Sequence, residues 1–387
     1  MTSTYTSTRT SARSLAAVLA AAALALTTAC SGSDGASDTT SDGATEEAPQ
    51  TDPGPSLAAA DWLEGQLTDG LLHNPTNGGF DDHGLSLDAA MALDAVGEHE
   101  EAVDRIVQAV ATDIDAYTTG AAFGSPEDVY ASATAKAAAV LQGQGRDLTD
   151  VGGTDLLERL EARVAGDDPI AGRIEDSGAE DHANVIGQVF ATRALVEAGS
   201  DRAEDVTEHL AAQQCEEGFF PLDLAPEKQG DQSCDARVDE APAPDVTALA
   251  VVVLEPVAAE AGLADALDTA GRWLLEQQAE DGSFAGDTES EGPNANGTGL
   301  SGWALGVLGE QEAAGSAAQW IAELQVPEEA DETTDALAGA SGAVAYDAEA
   351  LRAAEQDGIT DEAQDRWRRA TAQAAPALAW LPGGDPE

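Results

Sequence analysis

The stretch Gly271-Arg272-Trp273-Leu274-Leu275-Glu276-Gln277-Gln278-Ala279-Glu280-Asp281-Gly282-Ser283-Phe284 sets a Trp-Leu pair, then a glutamine, then a Gly-x-Phe turn. Its apolar residues recur at helical spacing and the glycine ends the pattern, so it reads as the close of an amphipathic helix. The same layout returns as His209-Leu210, Gln214 and Gly218-Phe219-Phe220. Its first half returns as Trp320-Ile321 with Gln325, and more loosely as Trp62-Leu63 with Gln66. A motif that recurs at this pitch calls for a repeat architecture.

Between these copies lies a second set of helical segments, aligned by a leucine: Leu93, Leu141, Leu195, Leu254, Leu308 and Leu351. Four positions earlier stand Ala89, Ala137, Ala191, Ala250 and Ala304, with Asp347 breaking the column. Seven positions earlier stand Ser86, Thr134, Gln188, Thr247 and Ser301, with Val344 the exception. Offsets of four and seven share one helical face, so each segment carries a narrow seam suited to close packing. Six such segments alternating with amphipathic ones predict an all-α chain of six helical hairpins, open like a solenoid or closed into a ring.

The Trp273, Gln278 and Gly282-Ser283-Phe284 pattern resembles the QW repeat of the terpene cyclase and prenyltransferase (squalene oxidase repeat) superfamily, with Phe284 where Trp is usual. The resemblance covers roughly residues 56–381 and implies an α/α toroid (α6/α6 barrel), six inner helices within six outer ones. The reaction motifs of the superfamily are absent. For the DxDDTA acid motif the nearest stretch is Ala243-Pro244-Asp245-Val246-Thr247-Ala248, in which Asp245 lacks flanking acids and reads as a helix cap. Asp81-Asp82 and Asp167-Asp168 have no further acid to make a DDxxD magnesium motif, and no zinc set of Asp, Cys and His is available. The thioester motif of complement-like relatives is missing as well.

Opposite the seam, five positions before each reference leucine, stand Asp88, Lys136, Phe190, Leu249, Trp303 and Tyr346. Two positions before it stand Met91, Ala139, Arg193, Val252, Gly306 and Glu349. In a closed ring this face would line the centre with aromatics and a few charges, as ligand sites are lined. The candidate ligand-binding residues are therefore Asp88, Lys136, Phe190, Arg193, Asp245, Trp303 and Tyr346. The plain alternative is a plugged centre, with Lys136 and Arg193 paired to Asp88 or Glu349. Weaker candidates sit where inner helices begin: Gly79 to His83, Glu180-Asp181-His182 with Asn184 and Gln188, and Asn294 with Asn296. Helix capping accounts for the same residues. Asp281, Asp287 and Glu289 lack EF-hand spacing, and no metal or cofactor is expected.

The chain has 387 residues, with 73 Asp plus Glu against 17 Lys plus Arg. Only two of the cations are lysines, so no basic patch for nucleic acid can be assembled. Residues 1–29 read as a signal peptide, with Arg9 and Arg13 before an apolar run too short to span a bilayer. Thr27-Thr28-Ala29-Cys30 resembles a bacterial lipoprotein processing site, although Thr27 replaces the usual leucine; cleavage nearby as an ordinary secretory signal is the alternative. Lipidation of Cys30 would anchor the chain to the cell membrane from outside. Residues 30–54 form an acidic Ser/Gly/Asp tether, 55–383 the repeat domain and 384–387 a tail. Cys215 and Cys234, in a disulfide-permissive setting, are expected to pair; zinc is the competing reading, without CxxC spacing or a nearby histidine. Together these features predict a lipid-anchored, extracytoplasmic toroid that binds a small ligand or surface partner without catalysis. A terpenoid- or glycan-active enzyme using the same barrel is the alternative.

Overall fold

The computed structural model describes residues 51–76, 79–237, 241–286, 292–327 and 335–383. The signal segment, Cys30 and most of the tether therefore lie outside the described residues. Six outer helices are α1 (Gly54–Gly65), α3 (Glu100–Thr112), α6 (Leu156–Glu161), α8 (Ala203–Ala212), α11 (Ala264–Gln277) and α13 (Gln311–Ala322). Six inner helices are α2 (His83–Val96), α5 (Ala131–Gly143), α7 (Val185–Glu197), α9 (Pro244–Leu254), α12 (Ala295–Val307) and α15 (Asp361–Ala374). Short helices α4 (Ile114–Thr118) and α10 (Ala258–Ala261), together with α14 (Ala348–Asp357), lie in the connections. So do two small antiparallel sheets, β1 (Leu67–Thr68), β2 (Leu71–Asn74) and β3 (Phe80–Asp82), and β4 (Thr119–Gly120) with β5 (Ser125–Val129). Each inner helix packs on the next, α2 on α5, α7, α9, α12, α15 and back to α2. The chain is a closed α/α toroid.

One hydrogen-bonded unit repeats around the ring. Five of the six outer helices are followed by a left-handed glycine, and two residues after it a backbone N–H donates to a buried side chain on the following inner helix. Leu72 donates to Ser86 at 2.9 Å, Ile174 to Gln188 at 3.0 Å, Phe220 to Thr247 at 3.0 Å, Phe284 to Thr298 at 3.0 Å and Val344 to Thr371 at 2.9 Å. The motif glutamines bind sideways. Gln278 Nε2 donates to the Gly282 carbonyl and, at 2.9 Å, to Ala313 of the next outer helix. Gln214 does the same to Gly218 and Ala266. Gln325 donates to Gly342 and, at 2.7 Å, to Pro55, so the last outer helix is stapled to the first. Closure is completed by Asp52 N–H on Leu381 O at 2.8 Å and Ser56 Oγ on Ala375 O at 2.7 Å.

These bonds correct the register of the last two inner helices. The acceptor on α12 is Thr298 rather than Ser301, which moves its reference leucine from Leu308 to Leu305. The sixth seam belongs to α15, with Thr371 and Ala374, and runs on to Leu378 in the 3-10 turn Ala377–Trp380, and not to the segment around Leu351. In this register the leucine column reads Leu93, Leu141, Leu195, Leu254, Leu305 and Leu378, and every member is 0% exposed. The column three residues after the acceptor, Ala89, Ala137, Ala191, Ala250, Ser301 and Ala374, is also 0% exposed. Small side chains there let the inner helices approach closely. Helix α14 packs mainly on the 335–337 segment and is an addition to the rim.

The second repeat departs from the unit. Thr134 only donates, to Tyr130 O, and the β4–β5 hairpin replaces the turn. Arg159 bridges that outer-helix interface instead, bonding Thr118 at 2.6 Å and Asp115 at 2.8 Å. Cys215 and Cys234 are joined by a disulfide, which ties the long 213–243 connection to the end of α8. His209 stands where Trp273 stands one repeat later. Burial depresses its basicity to about 4, helped by the nearby Arg173 and Arg237 charges and opposed by a backbone contact at Ala171.

The turn glycine at Gly342 has φ +85°, and a Cβ there would run into the carbonyl of Ala58. Gly309, at φ +86°, faces open space. Gly309→Ala should cost about 1 kcal/mol and Gly342→Ala at least about 3 kcal/mol in denaturant unfolding, because only the second adds a backbone collision to conformational strain. Equal losses would show that outer-helix contact does not govern the turn. The depressed His209 predicts a second result. Its unfolded form binds a proton below about pH 6.5, so stability is fully present above that value and falls as pH drops toward 4. His209→Gln should remove up to about 3 kcal/mol of that acid-side slope when melting curves are compared between pH 4.5 and 7.

Candidate functional site

Because the inner helices run parallel, all of them begin at one rim. The connections that enter them, such as 66–82, 162–184 and 323–360, are longer than most of those that leave, such as 97–99 and 198–202. Polar loops therefore gather at that rim. Helix α15 overshoots it, since Thr371 is its eleventh residue while the four other acceptors, and Thr134 in α5, are the fourth residues of their helices. Seven residues amount to roughly 10 Å of extra helix. This projection, residues 361–367, carries Arg366, and Arg368 and Arg369 follow at the level where the other inner helices begin.

Opposite the buried seam, each inner helix shows a stripe of partly exposed residues. It holds Gly84, Asp88 and Met91 on α2, Ser132 and Lys136 on α5, and Ile186 and Arg193 on α7. It continues with Asp245, Leu249 and Val252 on α9, Asn296 and Trp303 on α12, and Arg369 and Gln373 on α15. Solvent thus reaches the inner face of the ring. Counted from the hydrogen-bonded seam, Asp88, Lys136, Phe190, Leu249, Leu300 and Gln373 share one level. Asp245, Asn296 and Arg369 lie one turn nearer the rim, and Arg193 with Trp303 one turn deeper.

This placement sorts the candidates. Asp88, Lys136, Phe190, Arg193 and Asp245 do belong to the inner face. Trp303 does too, a level deeper than its sequence alignment indicated. Tyr346 does not: it precedes α14, its carbonyl accepts from Ala295 N–H at 2.8 Å, and Arg366 lies 4.4 Å from its ring centre. Glu349 likewise sits on α14, and Gly306 faces the Trp380 indole. Asp245 is not the N-cap of α9, a place taken by Ala243; its carboxylate accepts from Val246 N–H at 2.8 Å.

The charges on this face are engaged with one another. Lys136 Nζ lies 2.6 Å from Asp88 and 5.9 Å from the centre of the Phe190 ring. Arg193 pairs with Glu197 at 2.7 Å, rather than with Glu349, and donates to Val253 O at 3.0 Å. The loop candidates are mostly caps: Asp82 accepts from Leu85 N–H, Asn184 from Gly187, and Asn294 from Asn296 and Gly297. Asp181 joins Arg173 and Lys228 in a bridge between two connections, with Lys228 also on Glu175. Burial works to raise the Asp181 carboxyl, but the Asp176 N–H, Lys228 and Ala183 N–H carry it below the usual range. His182 and Glu180 form an exposed pair at 3.5 Å. Asp281 accepts from Ser283, while Asp287 and Glu289 lie outside the described residues. Among the described residues, no group of three or more His, Cys, Asp or Glu is placed to hold a metal ion.

Sequence reasoning missed Tyr117. From α4 its ring reaches the side of α2 left bare by Gly84 and stacks on His83, ring centres 6.0 Å apart. Burial, with Asp88 and Asp82 adding to it, pushes the phenol far above its ordinary range, so it stays a neutral hydroxyl. The absence of a side chain at Gly84, within an otherwise full inner column, was the one available signal.

No family model and no curated protein matches the chain. Solved structures do. The type II terpene cyclase MstE from Scytonema is 14% identical, with a TM-score of 0.55 over 84% of this chain and 96% of that one. The fold is that of the terpene cyclase-like α/α toroids. A protein from Actinoplanes is 17% identical at a TM-score of 0.54, covering 85% and 99% of the two chains. The unsaturated glucuronyl hydrolase from Bacillus sp. GL1, responsible for the degradation of glycosaminoglycan, is 13% identical at 0.52, covering 86% and 98%. One ring thus supports quite different chemistries, and function has to be argued from the inner face.

The Lys136–Asp88 pair provides a direct check on that face. Asp88→Ala or Lys136→Met alone strands a half-buried charge and should cost about 1–3 kcal/mol, whereas the double variant should recover much of the loss. Additive losses in thermal unfolding would mean that the two side chains do not depend on each other.

Proposed function

We propose that this chain is an exported, lipid-anchored toroid that binds a small ligand on the inner face of its ring, near the rim where the inner helices begin, and that it is not an enzyme. The observation that carries the reading is the solvent-reached stripe on the inner helices. It combines apolar surface with polar groups in a ring otherwise packed dry on alanine and leucine. Its charges are paired, Lys136 with Asp88 and Arg193 with Glu197, which suits holding a ligand more than moving a proton. Membrane attachment through Cys30 rests on the signal-like segment and its Thr27-Thr28-Ala29-Cys30 boundary.

A second reading is favoured by one specific feature. Tyr117 sets a neutral hydroxyl beside Asp88 and Asp82, and such a group can hold a reacting oxygen by donating a hydrogen bond. On this reading the barrel would process a terpenoid or a glycan.

Native mass spectrometry of the chain purified from membranes should show the polypeptide beginning at a lipidated Cys30 and carrying a non-covalent small molecule. Cys30→Ser should release the protein from the membrane fraction. Leu249→Trp, which narrows the ring, should remove the small molecule without changing helical content. A bare polypeptide in repeated preparations would sink the binding reading. Turnover of an offered terpenoid or glycan that is lost in Tyr117→Phe would replace it with the enzymatic one.

A further inference from the structure

Both halves of the inner face leave a buried polar atom without a hydrogen-bond partner, Ser132 Oγ on α5 among them, but they differ in the charge they carry. On the α2–α5–α7 side an ammonium is already in place, Lys136 between the Asp88 carboxylate and the Phe190 ring. On the α9–α12–α15 side there is no ammonium, and the cation of that stripe, Arg369, is turned to Asp365 at 3.6 Å and Asp82 at 4.0 Å. There, Asn296 Oδ1 and Gln373 Oε1 are buried without a hydrogen-bond partner. They occupy adjacent helices at successive levels, Asn296 two residues before Thr298 and Gln373 two after Thr371. A buried amide oxygen without a donor forfeits its hydration, and such a group in a folded protein calls for an explanation. Asp245 stands on α9 at the level of Asn296. Leu249, Leu300, Val252 and Trp303 form the apolar wall beneath, and Trp303 is partly exposed.

We propose that this half of the ring binds an organic ammonium compound with an apolar body. The ammonium N–H groups donate to Asn296 Oδ1 and Gln373 Oε1, with the Asp245 carboxylate offsetting the charge. The body lies on Leu249, Leu300 and Val252, and Trp303 offers a ring face of the kind that attracts cations. The opposite side of the ring shows the same association of carboxylate, ammonium and aromatic ring, built from the chain's own lysine. A formal charge of −56 further concentrates cations at any opening. A sugar could use the acceptors but gains little from the apolar wall, and a hydrocarbon has no donor for either amide. The proposal rests on the reading that the inner face binds a ligand at all.

The test is calorimetric titration of the full chain with 2-phenylethylammonium chloride, 2-phenylethanol, glucose and geraniol. The amine should bind one to one and at least about tenfold more tightly than the alcohol, with affinity falling as salt rises. Gln373→Met and Asn296→Leu should each weaken the amine about fivefold or more, and Gln373→Glu, which adds a carboxylate at the same place, should tighten it about tenfold. The glutamate variant keeps the test decisive should either apolar variant fail to fold. Equal affinity for amine and alcohol, or no response to Gln373→Glu, overturns the inference. If the alcohol, glucose or geraniol binds and the amine does not, the assigned ligand class is wrong while the binding reading stands. If none of the four binds and the exported chain carries nothing, both fall together.

Discussion

The structure depends on one two-way attachment of backbone to side chain. Past five turn glycines an N–H is taken up by a buried Ser, Thr or Gln of the next inner helix, and at three of them, Gly218, Gly282 and Gly342, a motif glutamine also holds the glycine carbonyl and the following outer helix. These groups would otherwise be buried without partners, and the cost of leaving them so exceeds any single apolar contact nearby. Register, ring closure and the choice of which helical face looks inward all follow. Because Gln325 reaches Pro55 with the geometry that Gln278 shows toward Ala313, the two ends of the chain meet through the same bond that joins its middle.

The departure at the second repeat is instructive for the same reason. Without a turn N–H for Thr134, the outer interface is held by Arg159 on Thr118 and Asp115, and the freed connection becomes the β4–β5 hairpin with α4 before it. This is the connection that delivers Tyr117 to Gly84. Relaxing the repeat at one point thus gives the inner face a group that no strict repeat would supply.

Much of the inner face was legible in the sequence. Asp88, Lys136, Phe190 and Arg193 lie where helical offsets from a buried leucine place them, since the first four inner helices keep one spacing between acceptor, alanine and leucine. Trp303 and Tyr346 were harder. In α12 both Thr298 with Leu305 and Ser301 with Leu308 satisfy an offset of seven, on faces only about 60° apart. Asn296 was visible as a polar residue at a helix start, while Gln373 looked like any residue of a closing helix until Thr371 gave that helix its register.

The amino-acid sequence alone determined the helical hairpins, their number, the acidic surface and the pairing of the two cysteines, because these rest on composition, periodicity and local turn chemistry. It also carried the toroid, through a motif whose glutamine and glycine recur at one pitch. Only the tertiary structure decided which side chain accepts each turn N–H, and hence that α15 rather than the segment around Leu351 completes the inner ring. The physical reason is that such a bond joins residues far apart in the chain. Neighbouring helical offsets are nearly equivalent until the partner N–H is in place, and it is the partner that selects the face left open at the centre.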